Sequence, residues 1–217
     1  DVRMPASPPV LVVVDPQRDF FRGGELAVPG ADRIIEPINE LMDMFASVVI
    51  TQDWHPPGHV SFAASHPGCQ IGDHLTLPHG EQQLWPVHCV ADTAGAEIDP
   101  RIAVPPQARI IRKGTRTSID SYSGFFENDG VTPVGLHDLL VDLSATSIVV
   151  AGLATDVCVL ATVLDACRLG YDVTVVEEAS AAIDCDGSLS RAWAQMNAAA
   201  ARRAATVTEA ASLRRRG

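Results

Sequence analysis

Three polar residues stand at the ends of apolar, β-branched runs, and their side chains make up the parts of a nucleophilic hydrolase. Asp15 closes Val-Val-Val-Asp, Lys113 closes Ile-Ile-Arg-Lys, and Cys158 lies two positions beyond Ser-Ile-Val-Val-Ala-Gly-Leu-Ala-Thr-Asp. A thiolate is a strong nucleophile, a nearby ammonium lowers the thiol pKa, and a carboxylate accepts the thiol proton and later passes one to a leaving amine. With Thr155 or Asp156 as N-cap, Cys158 falls in a first helical turn, where free amides and the helix dipole favour negative charge. This reading predicts a thiolate at Cys158, alkylated ahead of Cys69, Cys89, Cys167 and Cys185. Taken singly, each residue has an ordinary explanation: an aspartate capping a helix, a solvated lysine, a buried cysteine. Only their meeting in one pocket gives them chemistry.

A second group has the makings of a metal site. Asp53-Trp54-His55-Pro56-Pro57-Gly58-His59 directly follows a strand-like run, and His88 sits in Leu84-Trp85-Pro86-Val87-His88-Cys89. In an extended segment, Asp-x-His turns both side chains the same way, because the period of a strand is two. Carboxylate and imidazole together suit one divalent ion, zinc first, with iron and manganese served by the same ligands. His59 and His88 would complete the set. The alternative is a polar loop that happens to be rich in histidine, since His66, His74 and His79 share the region.

These residues need a scaffold that brings distant segments together. Short β-branched runs recur at Val10 to Val14, Val48 to Thr51, Arg109 to Arg112, Ser147 to Ala151 and Val173 to Val176, with a weaker one at Ala204 to Thr208. They are apolar on both faces and alternate with helical patterns, which predicts a three-layer α/β/α fold around a mainly parallel sheet of about six strands. Helices are expected at about Asp32 to Phe45, Leu136 to Leu143, Asp156 to Leu169 (stopped by Gly170) and Gly187 to Arg203, although Pro37 fits poorly inside the first. In such sheets ligands bind beyond the carboxyl ends of the strands, where Asp15 and Lys113 stand. Between Gln52 and Ala108 regular patterning gives way to a long connection dense in Pro, Gly and His, a length usually kept for function.

Composition narrows the field. The chain has 217 residues, 47% hydrophobic and 20% charged, and no shift in composition marks a boundary, so a single domain over 1–217 is expected. A net charge of −11 would repel a phosphate backbone, which argues against nucleic acid despite the Arg214, Arg215 and Arg216 tail, read as a solvated end. No apolar run nears the roughly 20 residues needed to span a bilayer. Residues Asp1 to Pro9 lack the order of a secretory signal, so the expected compartment is the cytoplasm. Five cysteines without regular spacing point to reduced thiols rather than a disulfide framework. The expected partner is a small molecule, with assembly into a homo-oligomer left open.

Six ordered segments then carry a resemblance: Val-Val-Val-Asp-Pro-Gln-Arg-Asp-Phe-Phe-Arg-Gly-Gly at 12–24, Thr-Gln-Asp-Trp-His-Pro-Pro-Gly-His-Val-Ser-Phe at 51–62, Trp-Pro-Val-His-Cys-Val at 85–90, Lys-Gly-Thr at 113–115, Asp-Ser-Tyr-Ser-Gly-Phe-Phe at 120–126 and Gly-Leu-Ala-Thr-Asp-Val-Cys-Val at 152–159. From about Val10 to Val207 the chain resembles the nicotinamidase branch of the isochorismatase-like cysteine hydrolases. The resemblance implies that Asp15, Lys113 and Cys158 are a catalytic triad. It further implies that Asp53, His55 and His88 bind the metal, with His59 a further or water-mediated ligand, and that Phe20, Trp85, Tyr122 and Leu153 contact an aromatic carboxamide. It also implies a cis peptide between Leu153 and Ala154, with the amides of Ala154 and Cys158 as an oxyanion hole. Rival readings are an amidase of the same fold with another substrate, a metallohydrolase in which Cys158 is incidental, and an inactive binding module. The segment from Ser65 to Gln83 follows no pattern of the family.

Overall fold

Runs of β-branched residues without a polar face build the centre of the molecule. The computed structural model describes residues 7–213; Asp1 to Ala6 and the Arg214, Arg215 and Arg216 tail, expected to be a solvated end, lie outside them. In chain order the elements are β1 (Val10–Val14), α1 (Ile35–Met44), β2 (Val48–Asp53), β3 (His74–Leu77), β4 (Gly80–Gln83), β5 (Arg109–Lys113), α2 (Leu136–Asp142), β6 (Ser147–Leu153), α3 (Leu160–Arg168), β7 (Asp172–Ala181), α4 (Ser188–Ala198), β8 (Arg202–Ala204) and α5 (Val207–Leu213). Six strands form one sheet in the order β5-β2-β1-β6-β7-β8, and every neighbouring pair is parallel.

The sheet is covered on both sides, which is why its strands read as unbroken apolar runs. Leu11 and Val13 of β1 pack with Ile38 and Leu41 of α1 and Ala210 of α5. Val10, Val12 and Val14, pointing the other way, pack with Leu140 of α2, Val163 of α3 and Met196 of α4. The three-layer α/β/α architecture predicted from the sequence is therefore the one observed.

The strand order places the site. From β1 the chain moves outward through β2 to β5, then crosses back to β6 on the opposite side of β1. The crevice at this reversal opens beyond the carboxyl ends of the strands, where α/β sheets bind ligands. At that end β6 approaches β1 so closely that a Cβ on Gly152, whose φ is +122°, would stand 2.2 Å from the Val14 carbonyl oxygen.

Several local expectations are corrected. Pro37 lies in the first turn of α1, after a 3-10 turn over Ala31–Ile34, where the missing N–H costs nothing. The expected strand from Ala204 to Thr208 is displaced: β8 covers Arg202–Ala204 and Val207 already begins α5. The fourth helix stops at Ala198, ahead of the expected Arg203, and Ala200 turns the chain with a φ of 68°. The long connection contains a small antiparallel hairpin, β3–β4, which alternation alone had not revealed.

Gly152→Ala tests the β1–β6 approach. The substitution is expected to cost about 3 kcal/mol or more, from the disfavoured backbone conformation and the clash with Val14 together, and to lower the urea midpoint accordingly. An unchanged midpoint would show that the two strands can part without penalty.

Candidate active site

Asp15, Asp53, Lys113 and Cys158 reach one point from four strands. Asp15 turns off the end of β1 with a φ of 49°, a conformation a non-glycine residue holds only when its surroundings enforce it. Thr51 supplies the enforcement: its carbonyl accepts the Asp15 amide at 3.1 Å, and its hydroxyl donates to Asp15 Oδ1 at 2.7 Å. Asp53 ends β2 and is gripped through its backbone by Gln17. The Gln17 Oε1 accepts the Asp53 amide at 2.8 Å, while its Nε2 donates to the Asp53 carbonyl at 2.7 Å.

The Lys113 ammonium, fully buried at the end of β5, holds these groups together. Its Nζ stands 2.8 Å from Asp15 Oδ2, 2.5 Å from Asp53 Oδ1, 3.1 Å from the Ser121 carbonyl and 3.4 Å from Cys158 Sγ. An Asp15 oxygen, an Asp53 oxygen and Cys158 Sγ all lie within 4.8 Å of one another. The three residues singled out from the sequence therefore share one pocket. The ammonium is the shared contact of carboxylate and thiol.

Burial decides the protonation states. It would push the Lys113 pKa down, but the Asp15 and Asp53 carboxylates outweigh it and hold the ammonium well above its ordinary value. Burial would likewise raise Asp53, yet Lys113 and then His55 keep its carboxyl well below the usual carboxylate range. Asp15 is left as the weaker acid: burial pushes it up to about 6 against the pull of Lys113. A carboxyl so placed can both take and return a proton near neutrality. The thiolate expected at Cys158 is corrected by the same physics, because burial pushes the thiol well above its ordinary value and Lys113 only partly lowers it. Cys158 is buried and Cys185 exposed. Burial therefore favours the thiol form of Cys158.

The expected N-cap is also corrected. Cys158 lies in a π-turn, Thr155–Val159, whose N-cap is Ala154. Asp156 instead points sideways, accepting the amides of Ile183 at 3.0 Å and Asp184 at 2.8 Å and the Ser188 hydroxyl at 2.6 Å. It thereby fixes the loop that brings Ile183 to the cavity. The Leu153–Ala154 peptide is cis.

Asp53, His55 and His88 form a second, adjoining cluster. The Nε2 atoms of His55 and His88 lie 3.5 Å and 3.7 Å from Asp53 Oδ2. Both rings are oriented by backbone carbonyls, Gly114 at 2.8 Å from His55 Nδ1 and Pro86 at 2.7 Å from His88 Nδ1. Burial would lower His55, but the Asp53 carboxylate outweighs it and raises the imidazole to about 9; with Nδ1 held by a carbonyl, a bound cation would take the place of the Nε2 proton, the arrangement ligating histidines adopt. His55 Nε2 is buried without a hydrogen-bond partner among the described residues, an orphan that a cation would satisfy. The donor set thus fits a divalent ion. Backbone pairing explains why residues so far apart in sequence meet: His55 donates to the Cys89 carbonyl at 2.9 Å, and Ala91 donates to His55 at 2.8 Å. The Cys89 amide is in turn held by Asp19 Oδ2 at 2.7 Å.

His59 is not part of this triangle. It stacks on His55 with ring centroids 4.1 Å apart. Its nitrogens face Ser61 Oγ at 2.7 Å and the Ile119 carbonyl at 3.3 Å, and it groups with His55 and Asp120 rather than with Asp53 and His88.

Both clusters open into a mostly apolar cavity, the kind of concavity in which small ligands bind. Phe20, Trp85, Tyr122 and Leu153, together with Ala154, line it as expected, and the structure adds Leu26, Val28, Val157, Ile183 and Asp120. Neither Leu26 nor Val28 carried any sequence signal. Gln17 and Thr51 lay inside conspicuous segments but do their work on the backbone, which residue type alone does not reveal.

A model of the isochorismatase domain matches residues 9–212. The chain belongs to the isochorismatase family. Within it, a nicotinamidase of Acinetobacter baylyi is 47% identical over 193 residues, covering 89% of this chain and 90% of the relative. The solved nicotinamidase/pyrazinamidase of Acinetobacter baumanii superposes with a TM-score of 0.91 at 45% identity, over 95% of this chain and 100% of the other. A pyrazinamidase of Pyrococcus horikoshii, solved in complex with zinc, gives a TM-score of 0.76 at 33% identity, over 91% of this chain and 98% of the other.

Lys113→Met should leave Asp15 and Asp53 facing each other in a dry site. The expected cost is about 3–5 kcal/mol in urea unfolding at pH 7, as for other buried pairs that lose one partner. Asp15→Asn in the same background should restore part of it. A single-mutant loss below about 1 kcal/mol would show that the ammonium is not what holds the carboxylates.

Proposed function

We propose that this isochorismatase-family protein is a cysteine amidohydrolase that converts nicotinamide to nicotinic acid and ammonia, and accepts pyrazinamide as a second substrate. The observation that carries the reading is the meeting of Asp15, Lys113 and Cys158 at the floor of an apolar-walled cavity beside the Asp53, His55 and His88 cluster. The activities of the family relatives agree with it.

The chain's own groups account for the chemistry. Asp15 takes the Cys158 proton, and the Lys113 ammonium, in contact with both, stabilises the thiolate as it forms. Sγ attacks the carboxamide carbon while the amides of Ala154 and Cys158 receive the developing oxyanion. Such donors are worth about 2.7–4 kcal/mol each in other hydrolases. Asp15 returns the proton to the departing nitrogen, ammonia leaves, and a thioester remains on Cys158. Water, activated by the same carboxylate, cleaves the thioester and restores the thiol. Phe20, Trp85, Tyr122 and Leu153 enclose the flat ring and exclude bulk water.

A divalent metal held by Asp53, His55 and His88, zinc first, would supply a Lewis-acid contact that orients the substrate through its ring nitrogen. His59, stacked on His55, would brace that ligand and serve as a further or water-mediated one. We further propose that the hydrolase domain spans 1–217 and serves NAD salvage in the cytoplasm. Among the described residues no helix is long and apolar enough to cross a membrane.

Ammonia release from nicotinamide by Cys158→Ala is the deciding measurement. The thiol mechanism predicts a fall of about a thousandfold or more. A metal-activated water would leave turnover within about tenfold of the parent, roughly 1.4 kcal/mol in the barrier. Survival of that kind would overturn the cysteine mechanism.

Elemental analysis addresses the metal separately. The purified protein is expected to hold about one divalent ion per chain, and His88→Ala to lose it. Full occupancy in both His88→Ala and Asp53→Ala would place the ion elsewhere.

A further inference from the structure

The β3–β4 hairpin lies in the segment for which the sequence offered no pattern, and its strand residues are exposed or half-buried except at one position. Of its eight strand residues, His74–Leu77 and Gly80–Gln83, only Gln82 is buried, with no accessible surface. A two-stranded hairpin has little stability of its own, so what it buries is what attaches it to the protein. Here the anchor is an amide, and a buried amide must have its hydrogen bonds satisfied.

The partners of Gln82 lead to the cavity wall. Its Nε2 donates to the Tyr122 hydroxyl at 3.1 Å and to the Gln83 carbonyl at 2.8 Å. Its Oε1 accepts Asn128 Nδ2 at 3.4 Å, and Asn128 Oδ1 accepts the Tyr122 amide at 3.0 Å. Gln82, Tyr122 and Asn128 thus close a ring of hydrogen bonds. The Tyr122 hydroxyl also accepts Trp85 Nε1 at 3.2 Å, which fills both its acceptor sites with N–H donors. Trp85 follows Gln82 by three residues and is fixed by its own backbone, its amide donating to the Ser61 carbonyl at 2.8 Å and its carbonyl accepting the Ala63 amide at 2.9 Å. Trp85 and Tyr122 line the cavity and Gln82 does not.

We propose that Gln82 is a positioning residue for substrate selection: through the Tyr122 hydroxyl it locks the Tyr122 and Trp85 rings at the spacing a flat heteroaromatic amide requires, and so ties the hairpin to substrate binding. The proposal deepens the nicotinamidase reading and rests on it for the identity of the substrate. Because Gln82 touches none of Asp15, Lys113 or Cys158, its loss should act on binding and leave the acyl chemistry intact.

The test compares Gln82→Leu with the parent protein. The expected result is a rise of about five- to tenfold in KM for nicotinamide with kcat within about twofold, the size of effect expected from removing one neutral buried hydrogen bond. In a Tyr122→Phe background, which lacks the hydroxyl, Gln82→Leu should add no more than about twofold, because the two changes break the same contact. A substrate-free readout accompanies the kinetics: with Trp54 and Trp193 replaced by phenylalanine, acrylamide quenching reports on Trp85 and should rise about twofold or more in Gln82→Leu. Loss of kcat with KM unchanged, full additivity with Tyr122→Phe, or unchanged quenching would each overturn the proposal. If the parent fails to hydrolyse nicotinamide while Gln82→Leu still exposes Trp85, the substrate reading falls and the positioning role stands. Should Gln82→Leu not fold, Gln82→Met, close to glutamine in size and without its donor, carries the same measurements, with the same outcomes expected and the same outcomes overturning the role.

Discussion

One ammonium group in a dry site sets the terms for the rest of this molecule. Removing an ion from water costs several kcal/mol even after the protein relaxes, at roughly that scale per charge, and Lys113 is buried together with two carboxylates. Each is tolerable only because the others are present. Lys113 compensates two negative charges with one positive, so the cluster remains one charge short, and the two carboxylates respond differently. Asp53, also facing His55 and His88, stays ionised. Asp15, with Thr51 and Lys113 as its partners, is pushed up to about 6. An acid–base group near neutrality thus arises from burial that the shared ammonium only partly offsets, with the Asp53 charge adding to it, rather than from any property of aspartate itself.

The same imbalance links the two halves of the site. Asp53 presents Oδ1 to Lys113 and Oδ2 to the histidines, so one carboxylate belongs to both clusters. A cation among Asp53, His55 and His88 would draw on negative charge that Lys113 also uses. Proton and metal binding at the site would be coupled through this single side chain.

Much of this was legible in the sequence because the constraints are local. Five of the six strands announce themselves by β-branching, and Asp15 and Lys113 stand out as polar residues ending apolar runs. What escaped detection depends on three-dimensional approach. Gln17 holds the backbone of Asp53, and Thr51 holds both the amide and the carboxylate of Asp15, in each case 36 residues away, which no spacing rule captures. The capping role given to Thr155 or Asp156 was wrong because Asp156 found three better donors on a distant loop. The thiolate at Cys158 was wrong because burial, invisible in a linear reading, outweighs a neighbouring cation. The β3–β4 hairpin was missed because its strands alternate between exposed and half-buried positions, with a glutamine as the one buried side chain.

The strand that carries Lys113 lies at the margin of the sheet. With β2 its sole neighbour in the sheet order, β5 exposes Arg109, Ile110 and Arg112. The two arginines discourage another chain from adding to that margin, as charged residues on outer strands commonly do. Lys113 is the one buried residue of this strand, and its side chain is clasped by ions at the heart of the site. The clasp therefore works in both directions: the carboxylates keep this outer strand from fraying, and any fraying would withdraw the ammonium from Asp15, Asp53 and Cys158. Structural integrity at the rim and chemical competence at the centre are one and the same equilibrium.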